Sequence, residues 1–233
     1  MALQVVSKPD TRLCSAIPYL TRGGRVADVG TDHAYLPIYL VREGIVRHAL
    51  ACDINEGPLR SARANIEAAG LAGRVEVLLT DGLCGVEEYQ PDDVMIFGMG
   101  GELIARILSD APWLPERDVG LILQPMSRAA VLREWLLSHG FVILGETLTF
   151  EDKYYQTIYA RKGTEATPYA EDELLLGRHN LNGDSPYLEG FLRHEIGVLE
   201  RVVRERSRSV SASTAEQTRL LTLLKKRLEE WKK

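Results

Sequence analysis

The sequence predicts an α/β protein: a mostly parallel, Rossmann-like sheet of seven strands that ends in an antiparallel hairpin and is followed by an α-helical domain. Three observations predict this architecture. Short apolar runs alternate with amphipathic helical patterns over residues 24–163, which is typical of βαβ units. Residues 141–150 and 154–161 alternate like strands, and the three residues between them are too few for a parallel crossover. Beyond a polar stretch at residues 163–168, the periodicity is helical.

The parallel part of the sheet is predicted from five short apolar runs, at residues 25–29, 48–53, 75–79, 93–97 and 119–123. Each run ends in polar residues or glycines. Ligands of open α/β sheets bind at the carboxyl ends of the strands, so we expect a ligand site along that edge.

Helices are predicted between these strands. Residues 55–69 have helical spacing and are followed by Gly70, which is suited to stop a helix. Leu103, Ile104, Ile107 and Leu108 lie on one face of a helix after a glycine cluster. Ser127 is expected to cap a further helix that ends near Gly140.

The C-terminal region carries two apolar stripes at helical spacing, within residues 188–203 and 220–231, with a polar segment at residues 207–214 between them. This pattern predicts an antiparallel helical hairpin similar to a coiled coil. We therefore expect two domains, residues 1–163 and residues 164–233.

Composition bounds the environment and the class of partner. The three cysteines, Cys14, Cys52 and Cys84, are far apart and form no CxxC pair, so neither a metal site nor a disulfide framework is expected, and a reducing cytoplasm fits. We expect no export leader, and no apolar run of the sequence approaches the ~20 residues that span a bilayer. A net charge of −5 argues against a globally basic nucleic-acid-binding surface, although a local basic face is compatible with it.

Five parallel strands that finish in an antiparallel pair resemble the class I methyltransferase fold, which uses S-adenosylmethionine. Under this resemblance Asp28 and Gly30 lie where the backbone approaches the amino-acid part of the cofactor. Asp53 ends the second strand, where a carboxylate can accept from both ribose hydroxyls. Ile54 and Asn55 follow Asp53 and are also candidate cofactor-binding residues. A lone Asp-x-Gly is also compatible with a plain tight turn.

The end of the third strand adds a third cofactor element. Asp81 can meet the adenine amino group, Gly82 allows a turn, and Leu83 can cover the ring. On its own, Asp81 would be interpreted as a turn residue.

The glycine cluster of residues 98–101 ends the fourth strand and has three interpretations. It is a phosphate cradle, a turn that needs positive φ, or the wall between methyl donor and acceptor. The Lys-Ser/Thr ending of a P-loop does not follow it, and Glu102 would repel a phosphate. We place Gly98 with the cofactor, Met99 at the reacting centre, and Gly100 and Gly101 beside the substrate, where they would leave room for a planar ring.

Asp32, His33 and Tyr35 follow the first strand, close to the expected sulfonium. Asp32 is the candidate to hydrogen-bond the acceptor and stabilise the positive charge that develops on a methylated ring nitrogen. It alternatively caps the next helix or binds the ammonium of the cofactor. His33 is placed at the cofactor as a structural hydrogen-bonding group, and Tyr35 either stacks on a ligand or packs in the fold.

Five motifs in order resemble the TrmK family of bacterial tRNA (adenine(22)-N1)-methyltransferases: GTDHAYLP at 30–37, ACDINEGPL at 51–59, TDGL at 80–83, IFGMGGELI at 96–104 and LILQP at 121–125. The resemblance extends to the helical hairpin. It implies methyl transfer from S-adenosylmethionine to N1 of an adenine in the tRNA D-arm. Gln124, at the end of the fifth strand, is assigned to the substrate.

The tRNA partner implied by the resemblance directs attention to cations on the last helices. We assign Arg204 and Arg208 to tRNA binding, with Arg201, Arg206, Lys225, Lys226 and Arg227 nearby and acidic residues interleaved. The hairpin is either a tRNA-grasping arm, an ordinary solvated surface or a dimerisation element, and the protein is expected to be a monomer or a weak homodimer.

Three alternatives stay open. One is an RNA or nucleotide N-methyltransferase of the same fold with another target. Another is a nucleotide-dependent oxidoreductase with Asp53 on a dinucleotide ribose, which the missing GxGxxG and the terminal hairpin disfavour. The last is a non-catalytic RNA-binding scaffold.

Overall fold

The structure, a computed structural model, describes residues 9–207 and 214–231. It divides into two compact units, Met1–Ala166 and Thr167–Lys233. Arg208 and most of the polar segment at residues 207–214 lie outside the described residues. Within the described ranges, no helix is both long and apolar enough to cross a membrane.

The first unit is built on one sheet of seven strands in the order β3-β2-β1-β4-β5-β7-β6. The strands are β1 (Arg25–Val29), β2 (His48–Asp53), β3 (Val75–Leu79), β4 (Asp93–Met99), β5 (Gly120–Pro125), β6 (Phe141–Phe150) and β7 (Tyr154–Lys162). Strands β1 to β5 pair in parallel, whereas β7 is antiparallel to both β5 and β6. The predicted mixed sheet with a terminal antiparallel hairpin is confirmed. Because β6 runs in the same direction as β1 to β5, all six of these strands end at one edge, called here the carboxyl edge.

Among the described residues of this unit, five α-helices accompany the sheet: α1 (Thr11–Cys14), α2 (Tyr35–Arg42), α3 (Glu56–Ala68), α4 (Gly101–Ser109) and α5 (Ala129–Ser138). Helix α3 buries Leu59, Ala62 and Ile66, three of the four positions that its sequence spacing predicts, whereas the fourth, Ala69, is the half-buried C-cap residue. Val26 in β1 and Met95 in β4 are fully buried and belong to the core between sheet and helices.

Several element boundaries differ from the prediction. Strands β4 and β5 continue to Met99 and Pro125 because the Met126 N–H donates to the Met99 carbonyl at 2.8 Å, beyond an irregularity at Gly98. The predicted cap at Ser127 is wrong: α5 begins after Arg128, which has φ +57° and makes no side-chain cap bond. The Ser127 carbonyl instead accepts from the Gly101 N–H at 2.8 Å.

The second unit is helical, with α6 (Glu171–Leu176), α7 (Arg178–Asn182), α8 (Leu188–Arg206) and α9 (Ala215–Trp231). Helices α8 and α9 pack together through the predicted apolar stripes, and Leu192 and Leu224 are buried. An ion pair of 2.8 Å between Lys225 Nζ and Glu200 adds to this contact. The sequence pattern does not separate the short helices α6 and α7.

Candidate cofactor and acceptor site

Exposed apolar side chains of the first unit collect at the carboxyl edge. Among the described residues, the large exposed ones that end or follow a strand there are Tyr35, Ile54, Leu79, Leu103, Met126 and Phe150. Leu144, within β6, is also exposed. Ligands of open α/β sheets bind at this edge, so exposed apolar side chains there fit a binding site.

A cleft of about 290 Å³ opens at this edge between the ends of β1 to β3 and the start of α4. It brings together seven residues that the sequence assigned to the site: Gly30, Asp53, Ile54, Asn55, Asp81, Gly82 and Met99. The remaining lining residues are Val29, Thr80, Leu103, Arg106 and Ile107. Residues from four successive strand ends thus meet in one cavity, as the open-sheet rule requires.

Gly30 makes the turn that opens the cleft. Its φ is +78°, and both its N–H and that of Thr31 donate to the Cys52 carbonyl at 2.9 Å. A Cβ at this position would collide with the Cε methyl of Met99. The positive φ therefore favours glycine, whereas the Met99 methyl ends a flexible side chain that can move away from a Cβ.

The carboxylate of Asp53 is held at the cleft wall by a backbone N–H two residues later. Its Oδ1 accepts from the Asn55 N–H at 2.7 Å, in the turn that leads into α3. This bond fixes the orientation of the carboxylate before a ligand arrives.

Asp81 and Gly82 line both this cleft and an adjoining cavity of about 500 Å³. Leu83 is buried and lines only the adjoining cavity, as do Cys84 and Asp110. Arg106 and Ile107 of α4 also face both spaces. The two cavities are therefore neighbours along one wall, with Asp81 at their boundary.

The carboxyl group of Asp28 lies under the cleft in β1 and is 7% exposed. Burial raises its pKa to about 6, the negative charges of Asp32 and Asp53 add to this rise, and the Thr31 hydroxyl opposes it. A buried carboxyl beside two other acids favours a cationic ligand, because a positive charge would relieve the repulsion.

Asp32 and His33 form an exposed pair in the loop between β1 and α2. Asp32 Oδ1 lies 3.2 Å from His33 Nε2, and the Asp32 side chain is 89% exposed. The alternative that Asp32 caps α2 is wrong, since Ala34 is the N-cap residue and no side chain bonds to that helix start. The rings of His33 and Tyr35 are 5.5 Å apart, and the cleft lining includes none of these side chains.

Backbone strain marks the same loop. His33 and Ala34 have φ of +55° and +56°, a left-handed conformation that non-glycine residues rarely adopt. The His33 carbonyl accepts from Asn65 Nδ2 at 3.0 Å, which ties the loop to α3. Such strain is of order 1 kcal/mol per residue or more and clusters at functional sites.

The prediction that Gln124 contacts a substrate is wrong. Gln124 is fully buried, and its Nε2 donates to the Arg12 carbonyl at 3.0 Å and to Thr157 Oγ1 at 2.9 Å. Its Oε1 accepts from Arg12 Nη1 at 3.3 Å. The amide is consumed in holding α1 against β5 and β7, so it is not offered to a ligand.

The prediction that Gly101 leaves room for a planar ring is also wrong. A Cβ there would collide with the Arg128 carbonyl, so the space beside this glycine is filled by the loop before α5. A Cβ on Gly100 would lie 3.3 Å from Ser127 Oγ. Gly98 has open space around it and a φ of +77°. The irregular end of β4 at this residue requires the positive φ, so the glycine has a structural explanation.

Sequence reasoning missed Arg106 as a site residue. It lies on α4, three residues after Leu103, and both side chains are exposed toward the cleft. The available signal was this i, i+3 spacing beyond the glycine cluster, which places the two residues on one helix face. Arg106 is a cation in a cleft that otherwise carries acids.

In the second unit the expected basic surface is partly neutralised. Lys225 pairs with Glu200, Lys226 Nζ lies 3.7 Å from Glu230 Oε1, and Arg227 Nε lies 2.6 Å from Asp172 Oδ2. Arg204 is exposed on α8. The positive surface of this unit is therefore weaker than the count of its cations suggests.

The strand order, the antiparallel strand next to β5 and the acid-lined cleft at the carboxyl edge define the first unit as a class I methyltransferase fold. Residues 10–158 match the methyltransferase domain family. The chain belongs to this family and, within it, to the TrmK group of tRNA (adenine(22)-N1)-methyltransferases. It is 36% identical over 163 residues to the Bacillus subtilis tRNA (adenine(22)-N(1))-methyltransferase, covering 70% of this chain and 68% of that protein.

Solved structures agree. A Streptococcus pneumoniae protein proposed to be a tRNA (m1A22) methyltransferase, in complex with S-adenosyl-L-methionine, superposes with a TM-score of 0.83 at 34% identity, covering 94% of this chain and 99% of that one. TrmK of M. capricolum, in complex with the cofactor product S-adenosyl-homocysteine, gives a TM-score of 0.80 at 28% identity, covering 95% and 98%.

Proposed function

We propose that the protein transfers a methyl group from S-adenosylmethionine to N1 of adenine 22 in the D-arm of tRNA, as its family membership implies. The observation that carries the proposal is the acid-lined cleft where the ends of β1 to β3 meet Met99 of β4 and the start of α4. The tRNA specificity comes from the family, and the cofactor class is supported independently by the chemistry of the cleft.

The cleft suits a cationic cofactor. S-adenosylmethionine carries a sulfonium and an ammonium, whereas a nicotinamide dinucleotide carries two phosphates. Asp53 and Asp81 line the cleft together with the cation Arg106, and Asp28 lies buried beneath it, so the acids outnumber the cation and favour a cationic ligand over a dinucleotide. The antiparallel β7 also disfavours the oxidoreductase alternative.

Individual residues fit parts of the cofactor. The fixed carboxylate of Asp53 can accept from ribose hydroxyls, and Asp81 can accept from an adenine amino group. The exposed Ile54 side chain offers an apolar surface for the ring. When bound, S-adenosylmethionine supplies an electrophilic methyl group.

The acceptor side needs orientation more than proton transfer. Neutral adenine has a lone pair on N1, so the attack requires no strong general base. Asp32, exposed at the carboxyl edge, is our candidate to stabilise the positive charge of the methylated ring, and Tyr35 and Met99 are candidate walls of the acceptor site. Because N1 is on the Watson–Crick edge, the base must be unpaired to react.

We further propose that residues 1–163 form the catalytic domain and that residues 164–233 form an arm that contacts tRNA through Arg204 and Arg208. Cytoplasmic location follows from a tRNA substrate. Charge reversal at Arg204 should weaken tRNA binding without changing cofactor affinity. Unchanged tRNA affinity would refute the proposal that this arm contacts tRNA. Sedimentation of the free protein tests the expected monomer or weak homodimer.

The central experiment incubates the protein with unmodified tRNA and methyl-labelled S-adenosylmethionine, followed by mapping of the labelled nucleoside. N1-methyladenosine at position 22 is expected, and a tRNA with guanine at that position should stay unlabelled. Label in another nucleoside, or none, would reject the assignment.

A matched pair of variants connects the chemistry to the cleft. Asp53→Asn should weaken S-adenosylmethionine binding about 10-fold or more, since a carboxylate acceptor is replaced by an amide. Asp118→Asn, whose exposed carboxylate pairs with Arg161 away from the cleft, is the control and should bind normally. Equal affinities of the two variants in calorimetry would place the cofactor elsewhere.

A further inference from the structure

The β6–β7 hairpin reaches beyond the part of the sheet it completes. The hairpin tip, defined as residues 150–154, lies at the carboxyl edge, because β6 runs in the direction of β1 to β5. Pairing of β7 with β5 runs from Leu121↔Ala160 to Leu123↔Ile158, whereas pairing of β7 with β6 continues to Phe150↔Tyr154. The first four residues of β7, residues 154–157, precede this pairing and, at ~3.3 Å per residue, extend about 13 Å past it toward the tip.

The tip presents an aromatic pair. Phe150 is 43% exposed, and its ring centroid lies 4.8 Å from that of Tyr154, with the ring planes tilted by 52°. Phe150 and Tyr154 are directly opposite in the antiparallel ladder, so both side chains stand on one face of the hairpin. The partly exposed ring of Phe150, paired with that of Tyr154, gives the tip an aromatic surface.

The acidic side chains of the tip form hydrogen bonds that hold the tip in place. Glu151 Oε1 accepts from the Arg12 N–H at 3.1 Å, and Asp152 Oδ1 accepts from the Tyr155 hydroxyl at 2.7 Å. On the Tyr155 ring, the Arg12 guanidinium and the Lys153 ammonium each lie 5.4 Å from the centroid. The two acids are thus bonded within the unit and two cations lie beside them, so the tip is braced and does not present bare negative charge.

We propose that the hairpin tip is a stacking platform for an unpaired base of the RNA substrate, an inference that rests on the proposed function. Every nucleobase has a π-face, and base–aromatic stacking contributes ~1–3 kcal/mol per base. Reaction at N1 requires an unpaired adenine, so unstacked bases are present where the substrate meets the carboxyl edge. Arg12 and Lys153 lie against Tyr155, which alternates to the opposite face of the hairpin from Phe150 and Tyr154, so these cations are not part of the platform.

The test compares steady-state tRNA methylation by the wild type with that by Phe150→Ala/Tyr154→Ala. The KM for tRNA should rise about 10-fold or more, the equivalent of ~1.4 kcal/mol or more, while the Kd for S-adenosylmethionine and the melting temperature change little. Leu144→Ala is the matched control, since Leu144 is similarly exposed on the same strand but lies six residues before Phe150. Phe150→Tyr/Tyr154→Phe keeps both rings and should keep the wild-type KM.

Each result discriminates. An unchanged KM in the double-alanine variant overturns the platform, and so does an equal rise in Leu144→Ala. A rise in the ring-preserving variant shows that stacking is not the contact. Loss of cofactor affinity in the double-alanine variant would show that the tip supports the structure of the cofactor site, and it would overturn the stacking platform. If the wild type fails to methylate tRNA, the proposed function itself fails, irrespective of these variants.

Discussion

Replacement of Asp28 by asparagine offers a test of the electrostatics of the cofactor cleft. In the folded protein the pKa of this carboxyl is raised to about 6, chiefly by burial, against ~3.9 in an unfolded chain. The folded state therefore binds the proton more tightly than the unfolded state. Its contribution to stability is fully present below pH ~4 and is lost as the pH rises through about 6.

The magnitude follows from the shift. A difference of about 2 pH units corresponds to about 3 kcal/mol in total, of which about 2 kcal/mol is lost between pH 4.5 and pH 7.5. The asparagine side chain of the variant does not titrate, so the free energy of unfolding of Asp28→Asn should rise relative to the wild type by about 2 kcal/mol over this range.

Urea denaturation at the two pH values measures this difference. Asp118→Asn, at an exposed carboxylate, is the control and should follow the wild type. Curves for Asp28→Asn and wild type that stay parallel across the range would refute the reasoning. The same substitution should weaken S-adenosylmethionine binding at pH 7.5, because an ionised Asp28 near a cation recovers part of its burial cost.

The remaining predictions concern residues whose role only the fold reveals. Gln124→Leu should destabilise by ~1–3 kcal/mol in urea titrations, since the Arg12 carbonyl and its neighbours lose their donor; an unchanged midpoint would contradict the network. Arg133→Met should cost ~3–5 kcal/mol by leaving Glu146 buried without its 2.7 Å partner, and adding Glu146→Leu should recover most of it. Gly101→Ala should lower the melting temperature by overpacking, at ~1–3 kcal/mol, whereas Gly57→Ala, with open space around it, should be neutral or stabilising.

The carboxyl edge could be predicted because its signals are local. A buried strand followed by Asp53, or by Asp81 and Gly82, is visible in a few residues, and parallel strands bring such ends to one edge whatever their order. Positive φ at Gly30 and Gly82 is likewise a property of single positions. Those residues lie in one cleft, and their individual roles toward the cofactor stay predictions.

The substrate side could not be predicted in the same way. Gln124 follows an apolar run and precedes a proline, so it resembles a strand-end ligand residue, yet Arg12, 112 residues earlier, occupies its amide. The glycine cluster predicts open space at Gly101, and the loop at Arg128 fills it. In both cases a segment distant in the sequence occupies the position that a substrate was expected to contact. Periodicity carries no information about which segment will pack there.

By itself, the sequence determined the alternation of strands and helices, the antiparallel ending and the acids that meet at the carboxyl edge, because each depends on neighbours in the chain. The tertiary structure alone decided which polar groups are spent on the fold, as at Gln124 and Arg133, and which apolar ones remain exposed, as at Phe150. The physical reason is that burial and hydrogen-bond satisfaction are properties of the packed chain, so they depend on segments that lie far apart in the sequence.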